Sequence, residues 1–429
     1  MHRFLRPTTR PTRSARAHVV WLRPLSLATL LACSAVLPAA AQEVDRAAKP
    51  ALPGNVVYVE SNDPAPGKNG VLAYRRDGAG RLTPLPGSPF LTGGAGFFDA
   101  SFALGPFDSD QNVVVDRKRR LLFAVNGGSN TIAVFHILAD GGLRAVEGSP
   151  FASRGVNPVG IGLRGDFLVV VNKDGDPAQG ATQDRPGYDV LRIRADGSLI
   201  PVPGARVRLA EGVSPTQPLT TDTGSLVLST EFPQAGLFDV MRLSATGSLR
   251  LLGTPAVPPP RGASTVQGPA PLGLWAHPKL PYLYAGLPAT SQLGVFRWTQ
   301  AGKLSFVRRV PTGGGAPCWV RVNREGTRIY VSDTASAAIS VFDSSRPGAP
   351  VEIQTLRLAA TGSIFQITLD DDERFLYVVG QRSTAAQPGS ANSLHVAQIA
   401  ADGTLREVAG SPLALPVPVD SRPQGVAAL

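Results

Sequence analysis

Cysteine and histidine are scarce in this chain of 429 residues, which contains two cysteines and five histidines. Beyond Cys33 near the N-terminus, the only cysteine is Cys318, so the body of the chain cannot form an intramolecular disulfide. Cys318 lies beside Trp319 in an apolar segment, which predicts a buried, inert thiol. Stability must therefore come from packing and hydrogen bonding.

Acidic residues are absent from the first 41 residues, which carry six arginines and so supply much of the formal net charge of +10. The remainder is only weakly basic. It has no cluster of Lys and Arg interleaved with aromatic residues. Because nucleic-acid binding depends on such a footprint, we predict no nucleic-acid partner.

Long hydrophobic runs are also missing, and the main apolar stretch, Leu25–Leu37, is too short for a transmembrane helix. It follows arginines and precedes small residues, a pattern typical of a signal peptide (1–41) cleaved after Ala41. A lipobox ending at Cys33 is the alternative, which would give an outer-membrane lipoprotein in place of a periplasmic or secreted protein. A short linker (42–53) and a single domain (54–429) would follow.

Glycine and proline are abundant, with 46 and 39 copies, which disfavours helices and suits short strands joined by turns. A short apolar strand recurs every 47 to 58 residues after the first interval, the period of a propeller blade. We predict an all-β, seven-bladed β-propeller of four-stranded blades. The recurring segments are Asn55–Glu60, Arg120–Asn126, Phe167–Asn172, Ser225–Thr230, Pro281–Gly286, Arg328–Asp333 and Phe375–Gly380.

The first repeat has no innermost strand before Asn55, whereas the C-terminal segment Arg422–Leu429 reads as one. We therefore expect the C-terminal strand to complete blade one and close the ring, which removes exposed sheet edges. In a ring of antiparallel blades, the long insertions all fall between second and third strands or between blades. They are expected to form one working face at the mouth of the central channel.

Several polar and aromatic residues occur on that face. Asp333 and Glu231 end second strands and are candidates for acid–base catalysis or for turn capping. Asn126 and Asn172 could orient a substrate. Phe97 and Phe98, with Phe102 and Phe107, predict either an aromatic lid over a ligand or a loop that plugs the channel. His136, His277 and His395 lie off this face, so the sequence gives little support to a His-based metal site or a Ser-His-Asp triad.

The oxygen-rich run from Asn172 to Asp176 resembles part of a calcium loop, but it lacks the glutamate that would complete one. A solvated turn is the favoured interpretation. We predict no metal and no cofactor.

The repeat design resembles the β-propeller lactonase family, which includes bacterial 6-phosphogluconolactonase and carboxymuconate lactonizing enzyme. The resemblance spans about residues 54–429 and is carried by inner-strand starts (Ala316–Val320, Arg422–Val426), by second strands ending in Val-Asn or Val-Ser, and by Asp-Gly-x-Leu turns. It implies hydrolysis or formation of a lactone ring without an obligatory metal. The family's inner-strand Arg and His are replaced here by Pro317-Cys318-Trp319, and its Asn-Glu aligns with Ser332-Asp333.

Two functions follow. The first is an exported lactonase-type hydrolase of a lactone or related carbohydrate ester, with Asp333 and Glu231 as acid–base residues. The second is a non-catalytic propeller that binds a protein, peptide or glycan on its long-looped face. A monomer is expected in either case.

Overall fold

Seven antiparallel sheets follow one another along the chain in the computed structural model, each with a path of four strands, and three of them carry a fifth short strand. The structure describes residues 51–98, 109–173, 185–221, 225–232, 236–259, 270–359, 362–382, 391–418 and 421–429. The predicted signal peptide, Cys33 and most of the predicted linker lie outside these ranges. Residues 50–429 form one compact unit.

Blades one to three occupy the first half of the chain. Blade one contains β1 (Val56–Glu60), β2 (Gly70–Arg76), β3 (Leu82–Pro84) and β4 (Phe90–Leu91). Blade two contains β5 (Val113–Asp116), β6 (Leu121–Asn126), β7 (Thr131–Ile137), β8 (Leu143–Ala145) and β9 (Phe151–Ala152). Blade three contains β10 (Pro158–Arg164), β11 (Phe167–Asn172), β12 (Gly187–Ile193) and β13 (Leu199–Arg208).

Blades four to seven repeat this order. Blade four contains β14 (Leu219–Thr220), β15 (Leu226–Thr230), β16 (Phe238–Leu243) and β17 (Leu249–Gly253). Blade five contains β18 (Leu272–Ala276), β19 (Tyr282–Leu287), β20 (Gln292–Trp298) and β21 (Leu304–Pro311). Blade six contains β22 (Pro317–Val322), β23 (Arg328–Asp333), β24 (Ala338–Asp343) and β25 (Val351–Arg357). Blade seven contains β26 (Ser363–Leu369), β27 (Phe375–Gln381), β28 (Ser393–Ile399), β29 (Leu405–Glu407) and β30 (Leu413–Ala414).

The C-terminal strand closes the ring, as predicted. β31 (Gln424–Ala428) pairs antiparallel with β1, so that it supplies the innermost strand of blade one. The backbone N–H of Leu429 adds a hydrogen bond of 2.8 Å to the carbonyl of Val56. The all-β, seven-bladed architecture predicted from the repeat period is therefore confirmed.

The core lies between neighbouring blades because the second strands are buried on both faces. Val56 and Tyr58 of blade one pack with Leu122 and Phe135 of blade two in one cluster. Equivalent clusters join the other blades, such as blade six to blade seven around Trp319 and Phe365, whose ring centroids are 5.0 Å apart. Continuous apolar runs suit such two-sided burial better than alternating ones. The sheets therefore form a rigid frame for the loops.

Candidate functional site

Because neighbouring strands in each blade pair antiparallel, the strand ends that flank the long connections lie on one face of the ring. This long-looped face carries the ends of the second strands, where several predicted site residues lie. Asn126, Asn172 and Asp333 are each fully buried there. A loop from the preceding blade covers each one, and a Cβ added to Gly94, Gly155 or Gly314 would lie only 2.4 to 2.6 Å from the covered side chain.

Asn126 and Asn172 bind neighbouring loops and strands. The Oδ1 atom of Asn126 accepts hydrogen bonds from Thr92 Oγ1 (2.6 Å) and Asn69 Nδ2 (2.9 Å). Asn172 Nδ2 donates to Asp189 Oδ2 at 3.0 Å. These contacts tie adjacent chain segments together, which is a positioning role within the fold.

Phe97 and Phe98 lie in the connection between blade one and blade two. Phe97 is buried, and both its backbone groups bind the side chain of Asn62 at 2.8 Å. The guanidinium of Arg422 lies 5.3 Å from the Phe98 ring centroid, within cation–π range. Phe102 and Phe107 lie outside the described residues.

The centre of the ring is filled by a polar segment, Ser109–Asn112, which we call the central segment. The Ser109 carbonyl accepts hydrogen bonds of 2.8 Å from Trp319 Nε1 and from Gln366 Nε2, on blades six and seven. Its hydroxyl donates to Gln424 of the closing strand at 2.9 Å. The segment thus meets inner strands from several blades, and this described part of the long loop is polar.

Other contacts of the central segment reach blades three, four and six. Asp110 forms a bidentate pair with Arg321, at 2.9 and 3.1 Å, and both side chains are buried. Gln217 donates to Gln111 at 2.8 Å, and Asn112 donates to the Val159 carbonyl at 2.9 Å. The central segment is therefore a hub that fastens the ring along its axis.

The opposite mouth of the channel holds a cavity of about 320 Å³, with Leu163, Thr220, Trp275 and His277 among its lining residues. His277 Nδ1 accepts hydrogen bonds from the backbone N–H groups of Lys279 and Leu280. Burial lowers the pKa of His277 below its usual value. Through this ring nitrogen the histidine stabilises the turn, and burial favours its neutral form.

Asp333 is sealed beneath the loop that contains Gly314. Its Oδ2 atom accepts a hydrogen bond from Ser340 Oγ at 2.7 Å, whereas Oδ1 has no partner among the described residues. Burial raises the pKa of Asp333 to about 7. Asp333 is thus a carboxyl group that gains or loses its proton near neutral pH but has no exposed surface.

Glu231 lies beside a second carboxyl, that of Asp239 in β16. The two side chains share a hydrogen bond, and Tyr188 Oη donates to Asp239 Oδ2 at 2.6 Å. Burial, followed by the nearby charge of Asp239, raises the pKa of Glu231 to about 7. Two adjacent carboxyls cannot both ionise freely, so the pair holds a proton near neutrality.

A cation lies on the same rim. Lys173 Nζ donates to Ser214 Oγ at 2.5 Å, and the Ser214 carbonyl accepts from the N–H of Phe232, the residue after Glu231. We call the carboxyl pair of Glu231 and Asp239 the blade-four pair. Lys173 is linked to it through Ser214 and the backbone of Phe232. Asp333 belongs to blade six and has separate partners, so the structure does not join the two predicted acids in one hydrogen-bonded group.

The sequence interpretation missed Asp239 and Tyr188. Both lie within strands of otherwise apolar character, and only the strand pairing brings them towards Glu231. Among the residues that the structure describes, no group of three or more His, Cys, Asp or Glu side chains could hold a metal ion. Residues 174–176 of the calcium-like run lie outside the described ranges. Burial raises the pKa of Cys318 to about 12, which fits an inert thiol.

The family model for the lactonase seven-bladed β-propeller matches residues 235–347, which confirms the resemblance inferred from the repeats. No curated protein sequence matches the chain. Among solved structures, a candidate 6-phosphogluconolactonase from Bacteroides uniformis is 13% identical, with a TM-score of 0.66, over 88% of this chain and 100% of that one.

The periplasmic gluconolactonase PpgL of Pseudomonas aeruginosa is 17% identical, with a TM-score of 0.61, over 87% of this chain and 100% of that one. At these identities the neighbours show the fold alone. No helix in the described ranges is long and apolar enough to cross a membrane.

Proposed function

We propose that this protein hydrolyses a lactone or a related carbohydrate ester on its long-looped face, with Glu231 as the acid–base residue. The observation that carries the proposal is the blade-four pair, in which burial and Asp239 raise the pKa of Glu231 to about 7. A general base works best when its pKa lies near the operating pH. The match to the lactonase family model supports the substrate class.

Each group on this rim has a role in the proposed reaction. Ionised Glu231 takes a proton from a water molecule that attacks the ring carbonyl. The ring C–O bond of the tetrahedral intermediate then breaks, and the leaving oxygen takes that proton from Glu231, which gives the open hydroxy acid and restores the carboxylate. Lys173 provides positive charge for the developing oxyanion. Tyr188 holds Asp239, and Asp239 keeps the pKa of Glu231 high. Asp333, the other acid named from the sequence, is the second candidate for the acid–base residue. An Asp333 variant is therefore compared with the Glu231 variant.

Hydrolysis of a panel of aldonolactones by the purified mature protein tests this proposal. We expect turnover well above the uncatalysed rate at pH 7 to 8, measured by loss of lactone with a protein-free blank. The Glu231→Gln variant should lose this turnover. A rate equal to the blank for every lactone would contradict the proposal.

The second candidate function is a non-catalytic propeller that binds a protein, peptide or glycan. The filling of the channel by the central segment favours it, because a ligand would then meet only the loops of the long-looped face. A rate of lactone hydrolysis equal to the blank, in protein that is correctly folded, would favour this binding role.

Export is part of the proposal, since the basic and apolar N-terminus resembles a cleaved signal and the PpgL neighbour carries the name periplasmic. We expect intact-mass measurement of the mature protein to give a chain that begins at Gln42. A lipid-modified N-terminus at Cys33 would show the lipoprotein alternative instead. A chain retained from Met1 would contradict export.

A further inference from the structure

Blade seven contains a Ser-His-Glu arrangement that is separate from the blade-four pair. His395 lies two residues after Ser393 on β28, so both side chains point to the same side of the sheet. His395 Nδ1 lies 2.8 Å from Glu407 Oε1, and His395 Nε2 lies 3.3 Å from Ser393 Oγ. The order hydroxyl, imidazole, carboxylate is that of a charge-relay triad.

The carboxylate fixes the proton on the histidine. Burial favours the neutral form of Glu407, but hydrogen bonds from His395, the Ala359 N–H and Ser411 together hold its pKa below the usual value. When Glu407 is ionised, its Oε1 atom accepts the hydrogen bond of 2.8 Å from His395 Nδ1. The lone pair on Nε2 then faces the hydroxyl of Ser393, which is the geometry that activates a serine.

The fold itself does not need these three side chains. Blade two has the same outer-strand design, and strand register aligns its Thr131, Ala133 and Ala145 with Ser393, His395 and Glu407. Two alanines thus occupy the places of the histidine and the glutamate. A buried ionic group costs stability relative to apolar packing, and blade two shows that this blade design can be built without one at these positions.

A glycine lies opposite the serine and leaves room for the side chains of Ser393 and His395. In blades two, three and six, a polar side chain ends the second strand opposite the start of the third. Blade seven has Gly380 there, paired with Ser393. A Cβ added to Gly380 would lie 2.3 Å from Ser393 Oγ and 3.2 Å from His395 Nε2.

The serine of this arrangement is more exposed than the histidine, as a nucleophile that must reach its substrate requires. Ser393 begins β28 on the long-looped face and is 8% exposed, whereas His395 is fully buried. Of the two residues, only Ser393 therefore has exposed surface.

We propose that Ser393 is the nucleophile of a second hydrolytic site, one that accepts small carboxylic esters. Ser393 Oγ bonds to the ester carbonyl carbon while its proton passes to His395 Nε2. Collapse of the tetrahedral intermediate breaks the carbon–oxygen bond, and the leaving alcohol takes that proton. Water then attacks the acyl-serine with His395 as base, which releases the acid and restores the hydroxyl. The site goes beyond the lactone proposal and uses none of its residues.

A fluorophosphonate probe tests this site on the mature protein. Ser393 Oγ displaces fluoride from phosphorus, and peptide mass spectrometry locates the phosphonylated residue. We expect labelling at Ser393 that disappears in Ser393→Ala and slows about 100-fold or more in His395→Gln, as removal of a catalytic base does. Thr131→Ala, at the equivalent position of blade two, is the matched control and should label at the wild-type rate.

The outcome is independent of lactone hydrolysis. Labelling of Ser393 that persists in Glu231→Gln supports a separate site, whatever the lactone panel shows. If Ser393 carries no label in the mature protein, or in a Glu231→Gln variant whose thermal unfolding matches that of the wild type, the proposal is overturned. Equal labelling rates in the wild type and in His395→Gln would overturn it as well.

Discussion

Replacing Asp110 by alanine is expected to lower the free energy of unfolding by about 3–5 kcal/mol, because it leaves Arg321 buried without a counter-charge. The pair is bidentate and almost without solvent contact, with 1% and 8% of the side chains exposed. It joins the central segment to the inner strand of blade six, so its loss also loosens the hub. Chemical denaturation followed by tryptophan fluorescence measures the change.

Two variants make this result specific. Asp371 pairs with Arg117 at the surface, where 39% of each side chain is exposed, and Asp371→Ala should cost less than about 1 kcal/mol. The double variant Asp110→Leu/Arg321→Met removes both charges and should recover much of the loss, because apolar packing can replace a buried ion pair. Equal losses for Asp110→Ala and Asp371→Ala would show that the hub does not fasten the ring.

Replacing Glu231 by glutamine is expected to lower kcat/KM for the best lactone by about 10²- to 10⁴-fold, the range that a general acid–base residue supplies. The loss should fall mainly on kcat, since glutamine keeps the size and hydrogen-bonding capacity of the side chain while it cannot accept the proton. Steady-state kinetics with circular dichroism as a check on folding measure this effect.

The control is Glu211→Gln, because Glu211 is an exposed glutamate in the connection that leads into the same blade. It should retain wild-type kinetics. The Asp333→Asn variant distinguishes between the two acids named from the sequence. A loss of kcat/KM confined to Glu231→Gln assigns the chemistry to the blade-four pair. A loss confined to Asp333→Asn would move the site to blade six.

The fold was accessible from the sequence because its signals are local and repeated. Each second strand is an apolar run such as Phe167–Asn172, and the missing inner strand before Asn55 required a partner from the C-terminus. The inner strand of blade four was not predicted, since Leu219–Thr220 is only two residues long and lies between proline and threonine residues without an apolar run.

The site was less accessible because it depends on contacts across strands and blades. Glu231 was named from its position at a strand end, but Asp239 and Tyr188 lie in other strands and give no pattern that links them to it. The central segment, likewise, has no periodicity, and its role exists only once the ring has closed around Ser109 and Asp110. Ser393 and His395 show the spacing of same-side neighbours, whereas Glu407 joins them only through strand register.

The pH dependence of lactone hydrolysis tests the central claim most directly. With the blank subtracted, kcat/KM of the wild type should rise through an inflection near pH 7, because only ionised Glu231 accepts a proton. In Asp239→Asn the inflection should move to lower pH, since the neighbouring negative charge that raises the pKa of Glu231 is gone. An inflection that stays in place in Asp239→Asn, or that survives in Glu231→Gln, would contradict the account.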